Sequence, residues 1–356
     1  MSSGPPFAIA GRPIGPGHPT YVIAEMSGNH GGDLTRALAI LEGAYRAGAD
    51  AVKLQTYTAD TITIDCHKPS FIAASDGPWA GRSLYDLYRE ASTPWEWQPR
   101  LAARGRELGI HVFSSPFDDT SVDFLEREVD VPAYKIASFE LVDTPLLQKV
   151  AATKKPVIMS TGMATAGEIA AALDDLRDAG SGPVALLHCV SAYPAPAEEM
   201  HLANIPAMAE RFEVVVGLSD HSLSPAVAVS AVTLGAHIVE KHVTLRRDDG
   251  GPDAGFSLEP EELRELVAMI RVADRAVGTA SLGTLGPEKS NRAFRKSIYA
   301  TRDIARGEAF TAENTRVIRP GGGMAPREIQ RVQRARASRD IERGDPITDE
   351  LLNEDS

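Results

Sequence analysis

The sequence predicts a closed barrel of eight parallel strands and eight helices, a (β/α)8 barrel, followed by a small β-rich domain. Three observations predict it: short apolar runs alternate with helical patterns, several of these patterns end at glycine, and polar residues follow the apolar runs. Strands that are buried on both faces read as continuous apolar runs, and strands that alternate with helices pair in parallel. Eight such units over about 250 residues favour a closed TIM barrel over an open doubly wound sheet.

The strands are predicted where β-branched and other apolar residues cluster. They cover residues 21–24, 51–54, 111–113, 133–136, 157–159, 184–187, 214–218 and 236–239. Helical patterns occupy residues 34–47, 94–108, 120–128, 145–152, 166–179, 225–234 and 260–277. Glycine follows five of these helices, as helix C-termini favour, and Thr93 is predicted to cap the helix that starts at Pro94. Segment 58–92, which lacks strong periodicity, is predicted to cover the barrel mouth.

Length and charge limit the classes of function. The chain has 356 residues, a 43% hydrophobic content and a formal net charge of -12, which predicts two domains and argues against partners that need a positive field, such as nucleic acid or an anionic membrane. We see no signal peptide and no apolar run of membrane-spanning length. With two widely separated cysteines, Cys66 and Cys189, a disulfide scaffold is not expected, and a reducing cytoplasm fits best.

Polar residues follow every predicted strand, at positions that meet at one mouth of a barrel. Among them are two lysines, Lys53 and Lys135, inside apolar flanks, where an unpaired ammonium group is costly to bury. His221 and His242 follow closely after the last two predicted strands. Two neutral imidazoles on neighbouring strand ends can hold one divalent metal ion and leave coordination positions open, although each histidine could instead form only local hydrogen bonds.

The composition changes after residue 277, where a Gly-, Ser- and Thr-rich segment begins. We predict a barrel domain at 1–280, a linker at 281–296 and a second domain at 297–356. The second domain contains a degenerate repeat, ATRDIARG at 300–307 against ASRDIERG at 337–344. This repeat predicts a small β-rich domain with internal pseudo-symmetry, which needs a surface to dock on because its core is small.

A series of motifs is spread along nearly the whole chain: IAEMSGNH at 23–30, AVKLQTY at 51–57, SSPF at 114–117, YKIASFE at 134–140, STGM at 160–163, SAYP at 191–194, GLSDH at 217–221 and GGPD at 250–253. Together with the tail, these motifs resemble the sialic acid synthase family, including its C-terminal antifreeze-like (SAF) domain of β-clip type. Within that family, GRSLYDLY at 81–88, SFE at 138–140 and FSLEP at 256–260 resemble the pseudaminic acid synthase branch. His188 and Val190 depart from that branch, and histidine at this position is more similar to the sialic and legionaminic branches.

The resemblance implies condensation of phosphoenolpyruvate with an N-acetylated amino sugar and release of phosphate. It implies a divalent metal (Mn²⁺, Mg²⁺ or Co²⁺) on His221 and His242, and Glu25 as the group that orients or deprotonates a water. It also implies phosphate and carboxylate binding by the following lysines and hydroxyls: Lys53, Lys135, Ser138, Ser160 and Ser219.

For the acceptor sugar, the resemblance implies contacts from Gln55, Glu140, Tyr193, Asp253 and Arg319. It also implies a homodimer in which the tail of one subunit covers the barrel of the other, so that Arg319 acts in trans. The branch motifs favour 2,4-diacetamido-2,4,6-trideoxy-L-altrose, which gives pseudaminic acid, and Phe117 or Phe139 as an apolar wall for its methyl group. An N-acetylneuraminate or legionaminate synthase, or a related sugar-acid synthase, is the alternative.

Two rival readings come from other classes of protein. A lysine-dependent aldolase would form a Schiff base on Lys135 or Lys53 and would be indifferent to chelators. A non-catalytic carbohydrate- or ice-binding protein would carry an idle barrel, which predicts a broken set of strand-end Glu, Lys and His residues; the set is intact.

Overall fold

The computed structural model of the chain describes residues 4–73 and 78–353. Residues 74–77 of the predicted mouth segment and the end of the predicted second domain, 354–356, lie outside the described residues. The described chain divides after Gly278 into two compact units. None of the helices in the described ranges combines the length and the apolar content that crossing a bilayer requires.

The first unit is a closed barrel of eight parallel strands, preceded by a hairpin of β1 (Phe7–Ile9) and β2 (Arg12–Ile14). The barrel strands are β3 (Tyr21–Glu25), β4 (Ala51–Thr56), β5 (His111–Pro116), β6 (Tyr134–Ile136), β7 (Val157–Ser160), β8 (Val184–Cys189), β9 (Val215–Asp220) and β10 (Ile238–His242). They pair in sequence order, and β10 closes the ring against β3. The predicted (β/α)8 barrel is therefore confirmed.

The helices around the barrel begin and end at signals in the sequence. They are α1 (Leu34–Ala47), α2 (Ala59–Ile62), α3 (Leu84–Ala91), α4 (Gln98–Leu108), α5 (Asp119–Phe124), α6 (Thr144–Ala151), α7 (Ala166–Asp178), α8 (Asn204–Phe212), α9 (Pro225–Thr233) and α10 (Pro260–Val277). The Asp33 side chain caps α1, and Gly48 ends it in the left-handed conformation.

The predicted cap at Thr93 is wrong. A 3-10 turn, Trp95–Trp97, precedes α4, and neither this turn nor α4 has a side-chain cap. The Thr93 hydroxyl instead lies 3.1 Å from Nε2 of the buried His30. A buried imidazole needs a polar partner, and this need takes the hydroxyl away from the helix start.

The amino ends of the barrel strands are closed by the β1–β2 hairpin, whose Ile9 and Ile14 are fully buried. Salt bridges stabilise this end. Asp50 forms one with Arg12 of the hairpin and one with Arg271 of α10, each at 2.8 Å. Asp274 of α10 accepts from the Thr20 hydroxyl at 2.6 Å and from the Thr20 N–H at 3.1 Å. These pairs hold one end of the barrel shut and leave the carboxyl ends of the strands as the open face.

The second unit is β-rich, as predicted. It contains β11 (Ser297–Ala300) paired with β12 (Thr315–Ile318), α11 (Ile329–Val332), and β13 (Arg336–Ala337) paired with β14 (Leu352–Asn353). The two sequence repeats bond to each other reciprocally. Ile304 and Ile341 exchange two backbone hydrogen bonds of 2.9 Å. Asp303 accepts from the Arg343 N–H at 2.8 Å, and Asp340 accepts from the Arg306 N–H at 2.7 Å.

Candidate active site at the carboxyl ends of the barrel strands

A network of buried polar contacts connects β4, β3 and β10 at the barrel mouth. The Lys53 ammonium lies 3.0 Å from Oε2 of Glu25 and 2.9 Å from Oε1 of Glu240. Gln55 donates to Oε1 of Glu25 at 3.0 Å, and the Ser219 hydroxyl donates to Glu240 at 3.4 Å. Strand pairing places these groups together, because Glu25 is in register with Lys53 on one side and with His242 on the other.

Glu240 is a site residue that sequence reasoning missed. It lies on β10 two positions before His242, so both side chains face the barrel interior. The signal was the alternation of Glu240 and His242 around Lys241, which marks two inward polar positions on one buried strand.

Burial and mutual charge set the pKa values of Glu25, Glu240 and Lys53. Burial raises the pKa of Glu25 to about 7, against the lowering effect of Lys53. For Glu240, burial also raises the pKa, but Lys53 and Lys135 outweigh it, so the pKa is lowered. Burial lowers the pKa of Lys53, but the two carboxylates outweigh it, so the pKa is raised. At neutral pH this lysine is therefore charged, with two acidic partners.

Lys135 forms a second polar group with residues from neighbouring strand ends. Its ammonium donates to the Ser160 hydroxyl at 2.6 Å and to the Ile136 carbonyl at 2.7 Å. Burial lowers the pKa of Lys135 to about 8. The Gly162 N–H donates to the Ser138 hydroxyl at 3.1 Å, and a Cβ at Gly162 would lie 2.8 Å from that hydroxyl oxygen, so a larger residue would have to displace it. Together these groups line the mouth with hydroxyls and one amine.

The two predicted metal ligands lie side by side, with ring centroids 5.4 Å apart. Nδ1 of His221 lies 3.0 Å from the Val190 carbonyl, so it donates there and Nε2 is left to accept. Gly217 lets β9 approach its neighbours closely enough, because a Cβ there would lie 2.4 Å from the Ile238 carbonyl oxygen. Nδ1 of His242 is buried and has no hydrogen-bond partner among the residues that the structure describes.

The charge states of the histidines differ. Burial, assisted by the nearby His221, lowers the pKa of His242 well below its usual value, so its imidazole is neutral. Burial lowers the pKa of His221 too, but contact with Cys189 outweighs it, so the pKa is raised. A bound cation competes with that proton, because metal ligands must be deprotonated. Within the described residues, no group of three or more His, Cys, Asp or Glu side chains is arranged to hold a metal ion.

An aromatic wall covers the histidine pair. The Tyr193 ring lies 4.3 Å from His221, and the Phe256 ring lies 5.0 Å from His242. Trp79, from the segment predicted to cover the mouth, lies 5.2 Å from Tyr193, and its indole N–H donates to the Pro252 carbonyl at 2.8 Å. The same aromatic residues, Trp79, Tyr193 and Phe256, line a cavity of about 460 Å³ together with Arg82, and neither histidine belongs to its lining.

Other predicted sugar contacts have different surroundings. Asp253 is buried and accepts a hydrogen bond from the Ser27 hydroxyl. Glu140 is half-buried, and one of its carboxyl oxygens has no hydrogen-bond partner in the described part of the chain. Burial raises the pKa of Glu140 to about 7. Arg319 is an exposed residue of the second unit, directly after β12. The structure therefore brings the barrel residues together and leaves Arg319 in a separate unit.

The apolar candidates and His188 also have defined positions. Phe117 packs against the buried Tyr57 with ring centroids 5.0 Å apart, whereas Phe139 is 62% exposed. Nε2 of His188 lies 2.6 Å from the Met200 carbonyl, so this histidine already has a structural partner inside the barrel wall.

Comparisons of the sequence and the fold with known proteins identify one family. The NeuB family profile matches residues 40–281, and the SAF domain profile matches residues 295–353. A pseudaminic acid synthase from Campylobacter jejuni is 41% identical, covering 92% of this chain and 95% of that protein. An N,N'-diacetyllegionaminic acid synthase from Legionella pneumophila is 35% identical, covering 94% of each chain. The solved structure of an N-acetylneuraminic acid synthetase from Leptospira borgpetersenii superposes with a TM-score of 0.73 at 30% identity, covering 82% of this chain and 96% of that one.

Proposed function

The chain belongs to the NeuB family and carries its SAF domain, and from this membership we propose that it condenses phosphoenolpyruvate with an N-acetylated amino sugar. The favoured acceptor is 2,4-diacetamido-2,4,6-trideoxy-L-altrose, which gives pseudaminic acid. The observation that carries this choice is the 41% identity to a pseudaminic acid synthase across 92% of the chain. Legionaminate and neuraminate synthases are also similar, at 35% and 30% identity, so their acceptors are the alternatives.

The reaction sets clear demands on the site. Carbon 3 of phosphoenolpyruvate attacks the aldehyde carbon of the open-chain sugar, and the electron pair of the aldehyde bond moves to its oxygen. Positive charge develops at carbon 2 and is met by a water molecule, which loses one proton. The resulting tetrahedral centre expels inorganic phosphate and becomes the keto group of a nine-carbon acid. The site must therefore hold a triply charged anion, stabilise an oxyanion and accept a proton.

His221 and His242 are the proposed ligands of a divalent ion, Mn²⁺, Mg²⁺ or Co²⁺. Three properties fit: both rings are buried, His242 is neutral with an unpartnered Nδ1, and the Val190 carbonyl orients His221. Such an ion acts as a Lewis acid that polarises the aldehyde oxygen. Two protein nitrogens leave coordination positions for substrate and water.

Lys53 and Lys135 are the proposed anion binders, with the hydroxyls of Ser138, Ser160 and Ser219. Lys135 has no carboxylate within salt-bridge distance among the described residues, and it already donates to the Ser160 hydroxyl. A phosphate next to it would favour the charged amine and raise the pKa of this lysine again. In this proposal the charge of Lys135, which no carboxylate neutralises at salt-bridge distance within the described ranges, lets a chain with a net charge of -12 bind an anionic substrate.

Glu25 is the proposed base for the water that adds to carbon 2. Its pKa of about 7 suits proton transfer near neutral pH, because a base is most effective when its pKa is close to the working pH. The Ser27 N–H and the Gln55 amide both donate to Oε1 and fix the carboxylate plane. Oε2 then faces Lys53, which stabilises the ionised form.

The proposed sugar contacts are Gln55, Glu140, Tyr193, Asp253 and Arg319, the last supplied by the second subunit of a homodimer. We assign the far end of the acceptor to the cavity that Trp79 and Tyr193 line, which its volume and mixed aromatic and polar lining support. The enzyme would work in the cytoplasm, which agrees with two cysteines that form no disulfide.

One panel assay tests this proposal. Phosphate release from phosphoenolpyruvate is measured with Mn²⁺ and one of three acceptors: the altro sugar named above, its manno-configured counterpart, or N-acetylmannosamine. We expect the highest kcat/KM with the altro sugar. A preference for another acceptor reassigns the branch, and no phosphate release with any of them refutes the synthase proposal.

Lysine-dependent aldolase chemistry is a second candidate because the pKa of Lys135 is lowered to about 8, which makes its amine more available as a nucleophile. This candidate predicts that borohydride traps pyruvate on the chain and that EDTA has no effect. The synthase proposal predicts no trapping and loss of activity in EDTA.

A further inference from the structure

A buried ion pair lies directly beside the histidine pair, on the neighbouring positions of the same two strands. The Lys241 ammonium is 2.8 Å from Oδ2 of Asp220, and their side chains are 1% and 0% exposed. Asp220 precedes His221, and Lys241 precedes His242. The two residues are in register across β9 and β10. Since neighbouring side chains on a strand point to opposite faces, the pair lies on the far side of the strands from the proposed metal.

The pair also holds the backbone on the far side of His221. Oδ1 of Asp220 accepts from the Ser222 N–H at 2.8 Å, and the Lys241 ammonium donates to the Ser222 carbonyl. His221 therefore lies between two residues that are fixed by one buried ion pair. Its own carbonyl accepts from the Ala195 N–H at 3.0 Å, so the backbone has little freedom at this point.

We infer that the Asp220–Lys241 pair is a positioning device that sets the distance and orientation of His221 relative to His242, and so sets the affinity of the site for a divalent cation. This inference rests on the proposed metal site. Groups that orient metal ligands without touching the metal typically change its affinity by about 10- to 100-fold. Asp220 and Lys241 are positioning residues in this sense, since neither touches a reacting atom.

The sign of the effect separates positioning from simple electrostatics. Asp220→Asn leaves an uncompensated ammonium near the cation, whereas Lys241→Met leaves an uncompensated carboxylate. If charge alone matters, the first variant weakens cation binding and the second strengthens it. If the pair positions His221, both variants weaken binding. Lys241→Met loses the contact with the Ser222 carbonyl, and Asp220→Asn keeps an acceptor for the Ser222 N–H but loses the ion pair that holds this acceptor in place. The double variant removes both charges and should still bind weakly, and it avoids a buried unpaired charge that could prevent folding.

The experiment measures Mn²⁺ binding to the full chain by the loss of the free-ion electron paramagnetic resonance signal. We expect the dissociation constant for Mn²⁺ to rise by about 10-fold or more in both single variants and in the double variant. We also expect the Mn²⁺ concentration for half-maximal phosphate release to rise in parallel, with activity at saturating Mn²⁺ changed much less. Opposite signs in the single variants would overturn the inference, as would wild-type binding in the double variant.

Asp274→Asn is the matched control, because Asp274 also accepts from a backbone N–H beside a barrel strand, that of Thr20, but lies at the closed end of the barrel. It should lower the thermal stability without changing Mn²⁺ binding. If it weakens binding as much as Asp220→Asn does, the effect is general loosening of the barrel and the inference fails. His221→Ala separates the two proposals: if it binds Mn²⁺ like the wild type, the metal site itself is wrong; if only it loses binding, positioning alone is wrong.

Discussion

Replacing Lys53 with methionine tests the buried ion pairs of Lys53 with Glu25 and Glu240 at the barrel mouth. The ammonium lies within 3.0 Å of carboxylate oxygens of both Glu25 and Glu240, and its side chain is 5% exposed. Methionine fills similar volume but supplies no charge. Two buried carboxylates then lose their cation, and removal of one partner from a buried pair costs about 3–5 kcal/mol of unfolding free energy. At roughly 2–4 °C per kcal/mol, the melting temperature should fall by about 6–20 °C near pH 8.

The loss should depend on pH with a definite sign. Without Lys53, burial raises the folded-state pKa of both carboxyl groups above the unfolded value of about 4.3. An acid with a raised folded pKa destabilises the fold when it is ionised, and this penalty disappears as the pH falls towards the unfolded pKa. The deficit of the variant relative to the wild type should therefore be largest near pH 8 and should shrink towards pH 5. Thermal unfolding at both pH values measures it.

Lys155→Met is the control for this prediction. Lys155 also has two acidic partners, Glu126 at 2.7 Å and Asp130 at 3.2 Å, but its side chain is 23% exposed and Asp130 is 87% exposed. Exposed pairs contribute about 0–1 kcal/mol, so this variant should be nearly as stable as the wild type. Equal losses in the two variants, or a loss in Lys53→Met that does not change with pH, would refute the reasoning.

Three further predictions concern residues of the proposed acceptor site. Arg319→Ala should raise the KM for the sugar and leave the KM for phosphoenolpyruvate and the melting temperature unchanged; an unchanged sugar KM would remove Arg319 from the site. Trp79→Ala should raise the sugar KM by about 10-fold, since it removes one wall of the proposed sugar cavity, and normal kinetics would show that this segment does not contact the acceptor. Glu140→Gln should be more stable than the wild type by about 1–3 kcal/mol near pH 8, because the pKa of Glu140 is raised to about 7 and its ionised form is disfavoured in the fold; the gain should vanish near pH 4, and a pH-independent gain would contradict this.

The barrel could be predicted because its strands are buried on both faces and their apolar runs are therefore continuous. The strand ends were less predictable. The run at 184–187 was predicted to end before His188, yet β8 continues through Cys189. At the barrel mouth the side chains turn polar while the backbone ladder continues, so hydrophobicity marks the edge of the core rather than the end of the strand.

Helix α8 was missed for a local reason. Pro206 stands at its third position, where a helix tolerates proline because the first N–H groups have no partner within the helix. The buried Ile205, Met208 and Ala209 recur at helical spacing and could have identified it. The helix α3, in the segment predicted to lack strong periodicity, spans only Leu84–Ala91 and buries Leu87 and Ala91, which is too short a pattern to stand out.

The site was predictable in its residue types and less so in its pairings. Lys53 is a predicted site residue because an ammonium group inside an apolar run needs an acidic partner. No feature of the sequence shows that Glu240, almost two hundred positions later, is one of its partners. That contact exists because β10 closes the ring against β3, which is a property of the whole barrel. Asn29, in the 3-10 turn that follows β3, donates to the Val243 carbonyl and the Ser257 hydroxyl and has a structural role.

The reciprocal bonds between the two repeats of the second unit make it resemble a dimer joined into one chain. Each half supplies what the other lacks: Asp303 and Asp340 each take an N–H from the opposite repeat, and Ile304 and Ile341 bond to each other. The connecting residues keep the halves at high effective concentration, so their pairing needs no second molecule. Neither half retains a complete set of backbone partners alone, so cutting the connection should turn a concentration-independent folding reaction into a bimolecular one.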